Sequence, residues 1–184
     1  LNGATVALGR AATMDPKPPA WTMAWLSGEV SRQQGFLEDA ANSFRSVLND
    51  KSQELRDRKF DFSLDFRVRN SLALTLLDLA EVAESRDQAE RMQQLIEEAR
   101  SEFEKTLLVD SEDVTAHANL AAIYKRLGNT EKAEFHGKAH LRYKPDDNAA
   151  DVARPKGRRQ YPAADHAAES LVIYWLHRPG AHQL

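Results

Sequence analysis

The spacing of apolar residues along the chain predicts a protein that is almost entirely helical. From Trp21 to about Tyr143, apolar side chains recur at the intervals of three and four residues that mark one face of an α-helix. Glycine, proline and short polar clusters interrupt this spacing and set the ends of six helices. We predict helices over residues 20–34, 36–49, 65–84, 86–109, 114–127 and 130–143.

Three stretches do not follow the helical spacing. Residues 1–20 contain two glycines and three prolines, which predict an irregular N-terminal extension with a short strand at residues 5–8. Residues 51–65 mix charged and apolar side chains and are predicted to form a loop with one helical turn. Residues 148–184 carry three prolines and a basic cluster, so we divide the chain into residues 1–20, 21–147 and 148–184.

Residues 114–147 form a unit of 34 residues with the sequence VTAHANLAAIYKRLGNTEKAEFHGKAHLRYKPDD. The small residues Ala121 and Ala133 allow two helices to approach closely, Gly128 ends the first helix and Pro145 stops the second. The pattern resembles a tetratricopeptide repeat, and the matching residues are Leu120, Ala121, Tyr124, Leu127, Gly128, Ala133 and Pro145.

Two earlier units resemble the same repeat. The first begins at Trp21 and matches through Gly28, Gly35, Ala40 and Phe44, although Ser52 stands where the family usually has proline. The second aligns through Leu72, Ala73, Leu76 and Leu79 in one helix and through Ala99 and Phe103 in the next. It contains 14 residues more than the repeat allows, which equals about four turns of helix. Seven extra residues in each helix preserve the packing faces, so we predict two long helices rather than a long loop.

The resemblance implies an all-α solenoid of about three helix pairs, with the middle pair elongated and irregular extensions at both ends. It also implies that the first helix of each pair lines a concave groove. The implied groove residues are Thr22, Trp25, Glu29, Arg32, Gln33, Arg67, Asn70, Leu74, Leu77, Asp78, Thr115, Ala118, Ala122, Lys125 and Arg126. Their aromatic, apolar and cationic side chains favour an extended peptide or a helix with some negative charge. The alternative is that they are ordinary surface residues.

The apolar C-terminal segment has two explanations. Residues 163–170 form a capping helix and residues 171–176 pack on the last repeat, or the segment reaches another chain by strand pairing or as an anchor in a groove. The residues placed in this interaction are Leu171, Ile173, Tyr174, Trp175 and Leu176.

The same region carries a second resemblance. The stretches HLRYKPDDNAAD and PAADHAAESLVIYWLHRPGA resemble tails that follow tetratricopeptide repeats in some bacterial multihaem c-type cytochrome proteins. This resemblance implies a periplasmic or extracellular setting, otherwise a cytoplasmic one, and an electron-transfer partner such as a c-type cytochrome.

Composition narrows the classes of function. The chain has 184 residues, 42% of them hydrophobic, and a net charge of −3 from 25 basic and 28 acidic residues. This charge argues against a nucleic-acid binder that works through net positive charge. The sequence has no cysteine, which excludes disulfides, thiolate catalysis and covalent haem in this chain. Any such haem must lie on a partner or on a portion outside this sequence. No apolar run approaches the roughly 18 to 20 residues of a membrane span.

Histidines are the candidates for metal chemistry. His136 and His140 lie four residues apart on one predicted helix, which places both on one face, and His117 is expected nearby. His166 and His177 flank the apolar C-terminal segment. We consider these side chains as metal or haem ligands, but packed or solvated histidines are the expected state, and no cofactor is expected in this chain.

No sequence pattern typical of catalysis is present, since the chain lacks a nucleophile elbow, a glycine-rich phosphate loop and a carboxylate pair in an apolar setting. Residues 85–113 carry nine acidic and four basic residues, either as a solvated helix face or as an acidic stripe that faces a partner. We expect a non-enzymatic scaffold that binds a protein partner, with a self-assembling structural subunit, a homo-oligomer, as the alternative. Because the chain begins at Leu1 rather than methionine, we expect a processed form or a piece of a longer chain.

Overall fold

The computed structural model describes residues 2–144 and, beyond them, only Lys156, Arg159 and Gln160, each in a helical conformation. The chain divides after Lys144 into two units, residues 1–144 and 145–184. Within the described part of the first unit there is no strand, so the protein is all-α there. Its helices are α1 (Asn2–Ala12), α2 (Ala20–Gln34), α3 (Leu37–Leu48), α4 (Gln53–Asp57), α5 (Phe66–Ser85), α6 (Ala89–Val109), α7 (Val114–Arg126) and α8 (Thr130–Tyr143).

The six predicted helices are all confirmed, and their ends differ from the predicted ones by at most three residues. The middle pair is long, with 20 residues in α5 and 21 in α6. Only residues 86–88 separate these two helices, so the alternative of a long loop is wrong. The predicted helical turn within residues 51–65 is also present, as α4 and a short 3₁₀ helix at Phe62–Leu64.

The prediction for the N-terminal extension is wrong, because residues 2–12 form α1 rather than a strand within an irregular segment. All three prolines of this region follow the helix, and the irregular stretch is confined to residues 13–19. Alanine makes up much of α1 and offsets the helix-breaking tendency of its two glycines, Gly3 and Gly9. The helix packs on α2, and Gln34 Nε2 donates a hydrogen bond to Thr5 Oγ1 at 3.1 Å.

The helices pack as three successive pairs. Helix α2 packs on α3, α5 on α6 and α7 on α8, while α3 contacts α5 and α6 contacts α7 to join one pair to the next. One continuous core runs through all three pairs. Its largest fully buried side chains are Phe44, Leu76, Leu95, Phe103 and Leu120. The chain reverses at Gly35 and Gly128, whose φ angles of 82° and 74° lie in the left-handed region that favours glycine.

A close approach of two helices fixes the first pair. Gly28 on α2 is buried against Phe44 on α3, and a Cβ at Gly28 would lie 2.7 Å from Phe44 Cε1. Phe44 has no solvent-exposed surface, so its ring cannot turn away into water. Glycine is therefore required by packing at this helical position.

Replacing Gly28 by alanine is expected to destabilise the protein despite the better helix propensity of alanine. Overpacking a closed core costs about 1–3 kcal/mol, and the helical preference returns up to about 1 kcal/mol. We expect Gly28→Ala to lower the free energy of unfolding by about 1–2 kcal/mol in urea titrations. The matched control is Gly137→Ala in α8, where an added Cβ meets nothing within 4 Å and stability should rise by up to about 1 kcal/mol. Equal effects at the two glycines would contradict the packing argument.

Candidate functional site

Polar contacts join α2 to α5 on the side where the sequence places groove residues. An ion pair links Arg32 on α2 to Asp78 on α5, with 3.1 Å between Nη2 and Oδ2. One turn earlier on α2, Glu29 Oε1 accepts a hydrogen bond from Ser71 Oγ on α5 at 3.2 Å. The structure therefore brings Glu29, Arg32 and Asp78 together, as the sequence predicts.

A second set of contacts continues this surface from α5 to α7. Arg126 on α7 pairs with Glu84 on α5, with 2.7 Å between Nη2 and Oε1. Between these helices lies an open pocket of about 250 Å³, lined by Leu77, Ala122 and Arg126 among others. These three residues belong to the predicted groove and share one cavity. We call the face formed by Glu29, Arg32, Leu77, Asp78, Ala122, Lys125 and Arg126 the α2–α5–α7 surface.

The remaining groove predictions divide into exposed, half-buried and buried residues. Gln33 is exposed, while Thr22, Leu74, Thr115 and Ala118 are half-buried. Trp25 is half-buried too and packs on Phe44 with 5.5 Å between ring centroids, so its ring serves the core as well as the surface. Arg67 is exposed but lines a different pocket, beside Phe60.

Asn70 is the clear correction among the predicted groove residues. Its side chain is only 9% exposed and is fully engaged inside the protein. The amide nitrogen donates to both carboxylate oxygens of Asp113, at 3.0 and 3.1 Å, and the amide oxygen accepts from Thr106 Oγ1 at 3.1 Å. Such a buried network ties α5 to α6 and α7, so Asn70 contributes to folding rather than to an exposed binding surface.

Sequence reasoning missed Ser71, Glu81, Glu84 and Asn119, which flank the predicted positions. The repeat pattern assigns the groove by spacing alone. These four side chains come into contact with the surface because of how α5 packs against its neighbours. No feature of the linear sequence separates them from other polar helix residues.

The cations of the α2–α5–α7 surface are only partly paired with acidic residues. Arg32 and Arg126 each have an acidic partner, and both pairs are partly solvent-exposed. Exposed ion pairs of this kind contribute about 0–1 kcal/mol, so a ligand's charges can replace one member at little cost. Lys125 is exposed and forms no ion pair with any described residue.

The acidic residues of α6 are largely paired within the protein. Glu98 pairs with Arg45 on α3, and Glu102 is buried between Arg69 and Lys105. The guanidinium of Arg100 lowers the pKa of the Glu97 carboxyl by hydrogen bonding to it. Several members of the predicted acidic stripe therefore serve contacts between or along helices.

His117 on α7 and His136 on α8 meet, as the sequence predicts. His117 and His136 are buried, with 2.9 Å between their Nδ1 atoms. His117 Nε2 lies 3.1 Å from the carbonyl oxygen of Ser111, so it must carry the proton and donate. With the proton on Nε2, the Nδ1 lone pair of His117 accepts the hydrogen bond from His136 Nδ1–H. His140 lies apart from this pair, with its Nδ1 3.2 Å from the carbonyl oxygen of Val114.

This arrangement does not form a complete metal site. Among the residues described, no three histidine, aspartate or glutamate side chains converge as metal ligands. The Nδ1 atoms of His117 and His136 are instead hydrogen-bonded to each other. The ring of Tyr124 stacks on His136 with 5.6 Å between ring centroids. His166, His177 and the segment Leu171, Ile173, Tyr174, Trp175 and Leu176 lie outside the described residues.

No protein-family model, no curated protein and no solved structure matches the chain. Among the helices that the structure describes, none has both the length and the apolar composition needed to cross a bilayer. The function must therefore be argued from the arrangement of this chain's own residues.

The histidine pair predicts a pH dependence of stability. Burial and the neighbouring His117 lower the pKa of His136 below its usual 6.5, while Glu104 opposes and Lys132 reinforces the shift. The unfolded chain therefore takes up this proton at higher pH than the folded protein does. Stability from this source is complete above about pH 6.5 and is lost as the pH falls below that value.

We expect the free energy of unfolding to decrease from pH 7.5 to pH 5, measured by urea titration at several pH values. His136→Gln should flatten part of this decrease, because glutamine does not titrate. His140→Gln, which leaves the pair intact, is the control and should keep the wild-type profile. An unchanged profile in His136→Gln would show that the pair does not govern the acid sensitivity.

Proposed function

We propose that the protein is a non-enzymatic scaffold, built as a tetratricopeptide-type solenoid, that binds a partner polypeptide along the α2–α5–α7 surface. The observation that carries this proposal is the shared pocket of Leu77, Ala122 and Arg126, together with the polar links from α2 to α5. An apolar floor bordered by exchangeable charges suits an extended chain or a helix.

Three features support the solenoid part of the proposal. The helices form three successive pairs, small residues allow the close approach at Gly28, and glycine reverses the chain at Gly35 and Gly128. These features match the repeat pattern of the sequence. The long α5 and α6 depart from it by extending the middle pair.

Lys125, which has no ion-pair partner within residues 2–144, and the exchangeable cations at Arg32 and Arg126 favour a partner segment with acidic residues. The resemblance of the C-terminal segment extends this proposal to a c-type cytochrome as partner, in a periplasmic or extracellular electron-transfer system. In that case the haem lies on the partner.

Site-specific photo-crosslinking in the native source tests the binding surface. A benzophenone side chain is placed at Gln33 or Lys125, both exposed, and as a control at Glu38 on α3. We expect one partner to cross-link from both surface positions and not from the control position. The purified partner should bind Lys125→Glu/Arg126→Glu at least about tenfold more weakly, whereas Lys138→Glu on α8 should bind normally. Equal binding by both variants would contradict the proposed surface.

Exposed apolar side chains at the two ends of the described helices favour a second candidate function, self-assembly. Phe135 and Leu141 on α8 are 63% and 76% exposed, and Val6 on α1 is 55% exposed. Repeats that stack end to end form open polymers when the rotation between copies does not close.

Self-assembly predicts a sedimentation coefficient that rises with protein concentration. Deleting residues 171–184 should then reduce the size of the particles, because the apolar C-terminal segment would join neighbouring copies. A scaffold that acts alone should sediment as one small species at every concentration. If the deletion changes neither size nor thermal stability, the segment is neither an assembly device nor a cap.

A further inference from the structure

The segment that joins α3 to α5 is unlike the other helix connections. Residues 49–65 lie between these helices, whereas the neighbouring pairs are joined by turns of two to four residues. The long connection contains α4 and the 3₁₀ helix, and it is firmly held. Leu55 and Phe62 are buried in the core, and Phe62 packs on Trp21 with 5.0 Å between ring centroids.

An ion pair between Arg69 and Glu102, largely shielded from solvent, helps to hold residues 49–65 against α5 and α6. Arg69 on α5 donates from Nε and Nη2 to the carbonyl oxygen of Ser63, at 3.0 and 2.6 Å. Its Nη1 lies 2.6 Å from Glu102 Oε2 on α6, and both side chains are largely shielded from solvent. Contacts with α5 and α6 therefore hold residues 49–65 in a defined position.

This rigid segment nevertheless presents apolar side chains to solvent. Phe60 is 50% exposed and Leu64 is 62% exposed, although Leu55 and Phe62 of the same segment are buried. Both line an open pocket of about 470 Å³ whose other lining residues are Lys59, Asp61, Asp65, Phe66 and Arg67. We call its apolar and cationic members, Lys59, Phe60, Leu64, Phe66 and Arg67, the connector patch. The ring of Phe60 contacts buried Phe62, with 4.7 Å between ring centroids, and its other side faces solvent. Apolar side chains that are exposed next to each other on the surface are typical of interaction surfaces.

The backbone at Lys59 helps to create this exposure. Lys59 has a φ angle of 54°, in the left-handed region that non-glycine residues rarely adopt. It ends α4 with a backbone hydrogen bond from Phe60 N to Leu55 O at 3.0 Å, the arrangement of a helix C-terminal cap. A lysine at a position that glycine suits better places a cation beside Phe60.

The charged members of the connector patch are the cations Lys59 and Arg67. Neither side chain forms an ion pair or a hydrogen bond to a carboxylate among the described residues, and the Arg67 guanidinium lies 5.8 Å from the centroid of the Phe66 ring. The two nearby carboxylates are already engaged. Lys51 and Ser63 hydrogen-bond to Asp61 and lower its pKa to about 2, and Asp65 accepts from Arg67 N and Val68 N as the cap of α5.

We propose that the connector patch is a second docking surface, which binds an acidic polypeptide segment that carries an apolar anchor side chain. Phe60 and Leu64 contact the anchor, and Lys59 and Arg67 pair with the flanking carboxylates. The pairing is specific in sign, because Asp61 is already paired with Lys51 and Asp65 accepts the backbone N–H groups at the start of α5, whereas no described carboxylate pairs with Lys59 or Arg67. This surface is separate from the α2–α5–α7 surface, so either can exist without the other.

Selection from a random peptide library displayed on phage tests the proposal. Wild-type protein is the target, and Phe60→Ser/Leu64→Ser protein removes peptides that bind elsewhere. Leu64 is exposed, and Phe60 is half-exposed and also contacts Phe62, so a wild-type circular dichroism spectrum and a cooperative melting transition check that the fold is kept. We expect enriched peptides to combine glutamate or aspartate with an aromatic or aliphatic residue. No enrichment, or enrichment of basic peptides, overturns the proposal.

Fluorescence anisotropy with a selected peptide then separates the two surfaces. Lys59→Asp/Arg67→Glu should weaken its binding at least about tenfold, and aspartate tolerates the left-handed backbone at residue 59. Lys125→Glu/Arg126→Glu should leave this binding unchanged, even if the proposed function of the α2–α5–α7 surface proves wrong. Equal loss of peptide binding in both double variants overturns the assignment, as does tighter binding of single-stranded nucleic acid than of the peptide.

Sedimentation at rising protein concentration tests a second copy of this chain as the occupant. If the wild type self-associates and Phe60→Ser/Leu64→Ser does not, the occupant is a second copy, and the choice of an acidic peptide is overturned.

Discussion

The position of α7 against the middle helix pair depends on a buried chain of hydrogen bonds from Thr106 through Asn70 to Asp113. Thr106 lies on α6, Asn70 on α5, and Asp113 is the residue that caps α7. Asp113 also accepts from Ala116 N at 2.7 Å, so one carboxylate both starts the helix and attaches it to α5. Buried polar groups are costly unless every partner is in place, which makes this arrangement strongly specific.

The candidate binding surface depends on this network. If α7 were displaced along α5, Ala122 and Arg126 would no longer border the same pocket as Leu77. The close approach at Gly28 fixes the position of α2 in a similar way, because it sets the distance between this helix and Phe44 on α3. The surface is therefore held by packing and hydrogen bonds beneath it, and its own ion pairs are too exposed to define its shape.

Rigid support also distinguishes the connector patch from an ordinary loop. Residues 49–65 fold over Leu55 and Phe62, and Arg69 donates two hydrogen bonds to the carbonyl oxygen of Ser63. These contacts hold the backbone that carries the exposed apolar side chains, and a preorganised backbone reduces the entropy that a partner must overcome on binding. Both proposed surfaces thus use the long middle pair as a common foundation.

Much of this fold could be predicted from periodicity. The spacing of apolar residues located six helices, and the 14 extra residues correctly indicated two long ones, because lengthening both helices by seven residues keeps the same faces buried. The meeting of His117 with His136 was also foreseeable from their places on paired helices. The repeat assignment itself remains a proposal.

The failures have physical causes that a linear pattern does not contain. Residues 2–12 became a helix because alanine-rich sequence and packing on α2 outweigh two glycines. Asn70 was assigned to a surface by repeat spacing, yet its amide is buried because Asp113 and Thr106 meet it from other helices. The exposure of Phe60 depends on the left-handed turn at Lys59, which nothing in the sequence marks, since glycine is absent there.

A double-mutant cycle between Asn70 and Asp113 tests the central structural claim most directly. The free energy of unfolding is measured for the wild type, Asn70→Ala, Asp113→Ala and the double variant, and the loss of the α7 cap cancels between the two arms of the cycle. Hydrogen bonds to a charged group contribute about 1.5–3 kcal/mol, so we predict a coupling energy of at least about 1 kcal/mol. Additivity within about 0.5 kcal/mol would contradict the claim that this network holds α7 to the middle pair.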